Sequence, residues 1–182
     1  MRPAPGEVLH FSEDPTIRTF RPHLASGRTT PYVWAVDHDR APDYWFPRQC
    51  PRAMAWVGPK TTAEDQSRIV GDGCGTRVHV IEYGWLDALR TVELYAYRLP
   101  AAPFEATDAA VVATTEVTPL GPPERVGDLF DLHATAGIQL RVLPHLHDFW
   151  DAVIASTLGF SGIRLRNALP RPYDESPAPG DS

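Results

Sequence analysis

The chain has 182 residues, 43% hydrophobic and 22% charged, an ordinary balance for a globular protein. Its net charge of -6 excludes general nucleic-acid binding, which depends on neutralising phosphates with Lys and Arg. No apolar run approaches the ~20 residues of a membrane span, and the N-terminus lacks the apolar core of a signal peptide, which predicts a cytoplasmic protein with no membrane association.

Residues 6–11, GEVLHF, read as a first strand with Val8 and His10 on one face. Ser12-Glu13-Asp14-Pro15 reads as a turn or a helix start. A second strand is predicted over 32–36, rich in β-formers, then a short helix over 41–46 with Pro42 in its first turn, then a third strand over 53–57. Residues 60–75 are polar and Gly-rich and are expected to form a mobile surface segment. RVHVIE at 77–82 is a strand, 85–89 a helical turn, and 92–99 and 110–117 two more strands. An amphipathic helix over 126–136 ends at Gly137, and a strand follows over 138–143. The best helix covers 148–158, with Asp148 as N-cap and Trp150, Val153, Ile154 and Leu158 on a buried stripe. Residues 160–168 close the fold as a strand or extended segment. Six or seven short strands and three or four small helices predict an α+β domain with a mixed, mostly antiparallel split sheet. The domain is expected to span 1–169, with a disordered tail over 170–182 by composition.

Chemistry concentrates in Tyr44–Arg52, YWFPRQCPR, where prolines stiffen a run of aromatics and guanidinium groups. Such a run suits a small-molecule or nucleotide ligand with a flat ring and an anionic group, because Arg takes phosphate bidentately and stacks on aromatics. The competing reading makes the aromatics core and the arginines structural. His10, at a strand end beside acids, reads as a ribose-binding or acid–base group, or as a structural histidine. His145 and His147 point the same way in an extended segment and suggest a metal-dependent hydrolase, with His133 or Asp151 as third ligand. No motif fixes a metal, and none is assigned. Cys50 as a nucleophile needs a depressed pKa, which Arg48 and Arg52 would supply; the other reading is a small buried hydrophobe. With Cys74 it forms no C-x-x-C pair, so both thiols are expected free.

Taken together, LHFSEDP (9–15), YVWAVD (32–37), YWFPRQCPR (44–52) and FSGIRLRNA (160–168) resemble an uncharacterised bacterial family of about this length, from Leu9 to Ala168. More remotely, the order of a strand ending in His, a strand starting with Tyr and a strand leading to an acid is similar to small bacterial ADP-ribosyltransferases of the rifamycin-modifying type. That resemblance implies NAD as cofactor and an ADP-ribosyl acceptor that is a small molecule or a macromolecule. It makes His10 the ribose-holding residue, packs Tyr32 on the nicotinamide with Trp34 or Tyr44, and gives Arg48 or Arg52 the pyrophosphate. The catalytic acid becomes Asp108 or Glu105, with Glu116 as the alternative. Phe11 departs from the Tyr or Gly that this family has after its histidine. The rival account is a non-enzymatic nucleotide- or protein-binding module built on the aromatic and Arg pocket.

Overall fold

The structure is a computed structural model that describes residues 1–24, 29–72, 75–107 and 110–171. The described residues form a mixed α+β fold of ten strands in three open, mostly antiparallel sheets, with four short helices. The chain divides into two compact units: Met1–Arg48 with Ala88–Leu132, and Gln49–Asp87 with His133–Ser182. Among the described residues no helix is long and apolar enough to cross a membrane.

The first unit holds two three-stranded sheets. In one, β1 (Glu7–Ser12) pairs with β5 (Tyr95–Pro100), which pairs in turn with β8 (Glu124–Arg125). In the other, β2 (Val33–Ala35) pairs with β7 (Val111–Ala113), and β7 with β6 (Glu105–Ala106). Alternation sorts the side chains. Val8, Tyr97 and Leu99 of the first sheet and Val33, Ala35, Val111 and Ala113 of the second share one core with Phe20 and Val117. On the other face of the first sheet Arg98 donates to Glu7 at 2.8 Å and to Glu124 at 2.7 Å, spanning all three strands. The two-residue strands β6 and β8 escaped the sequence pattern, because two residues carry no period.

In the second unit β10 (Gly159–Ile163), β3 (Arg52–Trp56), β4 (Arg77–Glu82) and β9 (Gln139–Leu143) form a four-stranded sheet, in which β4 and β9 run parallel. Ala53, Ala55, Val78 and Val80 face a core completed by Ile69, Val70, Leu146, Val153 and Leu158. Residues 60–72 are ordered, contrary to expectation. Thr62 caps the one-turn helix α1 (Ala63–Asp65), the Asp65 carboxylate accepts the Thr157 N–H at 2.8 Å, and Ile69 and Val70 are buried. Gly73 and Cys74 lie outside the described residues. Helices α2 (Leu86–Thr91) and α3 (Leu129–Thr135) each contain a boundary between the units. Gly137, at φ 65°, ends α3 and lets the Ile138 N–H reach the His133 carbonyl at 2.9 Å.

The last helix, α4 (His147–Ile154), departs from the expected cap and stripe. Its N-cap is Leu146, whose own N–H donates to the buried Glu82 carboxylate at 3.2 Å. Glu82 also accepts the Leu169 N–H at 3.1 Å, so a strand-end carboxylate serves a helix start that Asp148 was expected to cap. Val153 and Leu158 are buried and Trp150 half-buried, but Ile154 is 47% exposed. The helix stops at Ile154, so a stripe extrapolated on to Leu158 misplaces its last turn.

Candidate functional site

The first unit places His10 at a seam between two strands. β1 and β2 share one antiparallel rung, in which Leu9 and Val36 exchange hydrogen bonds of 2.9 and 2.8 Å. Continued in register, the next hydrogen-bonded rung would join Phe11 to Trp34. Instead the Trp34 carbonyl takes the His10 imidazole, Nδ1 to O, at 2.7 Å. One rung further along β2, Tyr32 pairs with His23 through bonds of 3.0 and 3.1 Å. The ladder is therefore interrupted at Trp34, and a side chain stands where a strand would have continued.

This bond fixes the histidine's chemistry. A carbonyl only accepts, so Nδ1 carries the proton and Nε2 is left as an acceptor. Nε2 makes no hydrogen bond among the described residues. Burial, opposed by the Trp34 bond, lowers the His10 pKa, and the charges of Arg48 and His23 push the same way, so the ring is neutral at pH 7. Phe20 holds its face at a ring distance of 4.6 Å.

The aromatics of β2 lie differently. Trp34 alternates with Val33 and Ala35, so its ring is on the opposite side of the sheet from the core, and Tyr32 meets it edge-on at 5.9 Å. Glu105 shares that face, because Trp34, Val112 and Glu105 are register partners across β2, β7 and β6. Two strand spacings separate Glu105 from Trp34, about 10 Å. The structure thus brings His10 to the backbone of the Tyr32–Trp34 strand and Glu105 to its outer face. Glu116 instead pairs with Arg21 at 2.9 Å; its neighbour Val117 bridges Phe20 within the core, which turns Glu116 away from His10. Asp108 lies outside the described residues.

The aromatic–Arg segment serves two ends. Trp45 and Phe46 are core, with the Trp45 indole N–H donating to the Met1 carbonyl at 3.1 Å, while Tyr44 is half-buried. Arg48 is exposed, and its backbone N–H donates to Glu13 at 2.7 Å. Arg52 belongs to the second unit, where it is buried and donates to the Cys50 carbonyl at 2.9 Å. Burial pushes the Cys50 thiol up to about 12, against the attraction of Arg52, so it is a buried neutral thiol and not an activated nucleophile. A hollow of about 330 Å³ in the first unit, lined in part by Arg90, Thr91 and Arg125, shares no residue with the seam.

Sequence reasoning passed over His79. It is fully buried on the face of β4 that Arg77 and Ile81 share. The Arg77 Nε–H donates to its Nε2 at 3.0 Å, so its proton sits on Nδ1 and is donated to His133 Nε2 at 3.0 Å. Burial holds the His79 pKa well below the usual value, helped by His133, Arg77 and Arg52. The alternation of RVHVIE, which sets His79 on the Arg77 face, was the available signal. His133, named as a third metal ligand, therefore has its Nε2 engaged by His79. His145 and His147 stack loosely at 6.3 Å, the His147 Nε2–H donates to the Leu169 carbonyl at 2.6 Å, and among the described residues no group of three His, Cys, Asp or Glu side chains could hold a metal.

The chain belongs to a family of unknown function, DUF6886, whose model matches residues 9–168, the span over which the motifs suggested an uncharacterised family. Neither a curated protein nor a solved structure matches it.

Proposed function

We propose that the chain is an ADP-ribosyltransferase-like enzyme that binds NAD at the His10 seam and transfers ADP-ribose to a small-molecule or macromolecular acceptor. The observation that carries this reading is the interrupted ladder: His10 Nδ1 is tied to the Trp34 carbonyl at 2.7 Å, which leaves Nε2 to accept a ribose hydroxyl. A neutral imidazole suits that task, because a protonated one would have no acceptor left. Arg48, whose charge reaches His10, supplies the cation for a pyrophosphate. Asp108, outside the described residues, is the candidate carboxylate for an oxocarbenium-like transition state, because Trp34 and Glu105 lie on the face of their sheet opposite the core on which His10 packs.

Titration calorimetry with NAD on the wild type and on His10→Ala tests the site, with nicotinamide release as the second readout. Binding that the substitution weakens at least tenfold, with nicotinamide released by the wild type alone, supports the enzyme. Saturable binding without nicotinamide release favours a nucleotide-binding module. No heat at millimolar NAD, or equal binding by both proteins, removes the assignment.

A further inference from the structure

The His10 imidazole is held from two sides, and only one of the two contacts is polar. Its Nδ1–H is given to the Trp34 carbonyl at 2.7 Å, and its ring lies against Phe20, with centroids 4.6 Å apart and planes tilted by 46°. A single hydrogen bond does not by itself fix a side chain. When that bond opens, rotation about Cβ–Cγ carries Nδ1 away from the carbonyl and turns Nε2 to a new direction. A ring in van der Waals contact with the imidazole obstructs that rotation.

Phe20 is itself unable to yield. It is buried, and its backbone exchanges hydrogen bonds of 2.8 and 2.9 Å with Val117. Tyr97 stands edge-on to its ring at 5.1 Å, with the planes at 80°. The Tyr97 hydroxyl donates to the Asp14 carbonyl at 2.7 Å and accepts the Ile17 N–H at 3.0 Å, so that ring is anchored in turn. Tyr97 is also the register partner of His10 across β1 and β5, which puts both side chains on one face of the sheet. Phe20 reaches that face from outside both strands and touches both rings.

We propose that Phe20 is a positioning residue of the seam: its ring holds the His10 imidazole in one rotamer, which keeps the proton on Nδ1 and aims Nε2 in one direction. An acceptor aimed in advance does not have to be ordered when a hydroxyl binds it, so less affinity is lost to freezing the ring. Without the Phe20 ring a second rotamer opens, the Trp34 carbonyl loses its donor, and either nitrogen can carry the proton. The use made of Nε2 rests on the NAD reading, but the link from Phe20 to the imidazole stands without it.

Nitrogen-15 NMR of the His10 ring in the ligand-free full chain, at about pH 8 where imidazole is neutral, separates this role from plain core packing. Phe20→Met and Phe20→Leu keep an apolar side chain in the core and remove the ring. Leu99→Ala is the control, a fully buried position of the same core whose register partner is Val8. The wild type should show two well-separated nitrogen resonances, as one tautomer requires. Either Phe20 variant should draw them together, and Leu99→Ala should leave them at the wild-type positions. Unchanged resonances in the Phe20 variants, or equal convergence in Leu99→Ala, overturn the assignment. If neither Phe20 variant folds, the wild type still decides: converged nitrogen resonances, or no nuclear Overhauser contact between the Phe20 and His10 ring protons, also overturn it. In calorimetry the Phe20 variants should weaken NAD several-fold more than Leu99→Ala does. A wild type that binds no NAD would sink the function proposed above and leave the nitrogen spectra to decide the role of Phe20.

Discussion

Two histidines, one in each unit, occupy β-strands and are held neutral, yet they are built to opposite ends. His79 is fully buried with both ring nitrogens engaged, Nε2 by the Arg77 donor and Nδ1 by His133. His10 is half-buried with one nitrogen engaged, by the Trp34 carbonyl, and with Nε2 making no bond among the described residues. A saturated polar group in a dry interior rigidifies and specifies packing, and its loss strands its partners. A partly buried group with one nitrogen engaged is oriented by that bond and keeps one capacity for a ligand. The difference separates a structural histidine from a candidate binding histidine without any appeal to sequence.

Substitution is the strongest way to break that contrast. His79→Ala removes a buried ring and leaves both Arg77 and His133 short of a partner, so a loss of about 2–4 kcal/mol is expected by denaturant unfolding. His10→Ala frees a carbonyl at a seam and should cost about 1 kcal/mol. If the order were reversed, His10 would be the structural residue and the seam a packing detail.

A pH series sharpens it. Both histidines have folded pKa values below that of free imidazole, about 6.5. Below that pH the unfolded chain takes up protons that the folded chain refuses, so stability present at pH 8 is lost as the pH falls through 6.5 towards the lowered folded values. Carboxylates act in a separate window: Glu7, Asp65 and Glu124 are depressed by their Arg partners and contribute down to about pH 4.5, losing stability only below it. The thermal midpoint should therefore fall between pH 7.5 and 5, and the fall should be shallower in His79→Gln. A flat midpoint across that range would mean the buried pair takes up protons without penalty.

The smallest effect lies on α4, within the second unit. Ile154→Ala should change stability by no more than about 0.5 kcal/mol, whereas Leu146→Ala, at a buried position one residue before the helix, should cost about 2–5 kcal/mol. Equal losses at the two sites would show that the exposed face of α4 is covered in solution.

The elements that the sequence alone determined are those set by local rules. RVHVIE is rich in β-branched residues and is a strand at the predicted bounds, buried on both faces, so that side-chain direction alternates along it while burial does not. Gly137 ends its helix because a positive φ favours a residue without Cβ. His10, Tyr32, Trp34 and Arg48 were legible as residue types in suggestive company. Which of their atoms are engaged was not. The Trp34 carbonyl is open to an imidazole only because β1 leaves β2 after one rung; Glu13 reaches Arg48 across 35 residues; Glu82 serves a helix start 64 residues away; His79 finds His133 across 54. Those contacts depend on strand register and on which backbone groups the ladders leave over, quantities that exist only once distant segments are packed. Tertiary structure therefore decided which histidine is saturated and which keeps a nitrogen for a ligand, because a hydrogen bond is defined by distance and direction in space, and sequence spacing carries neither.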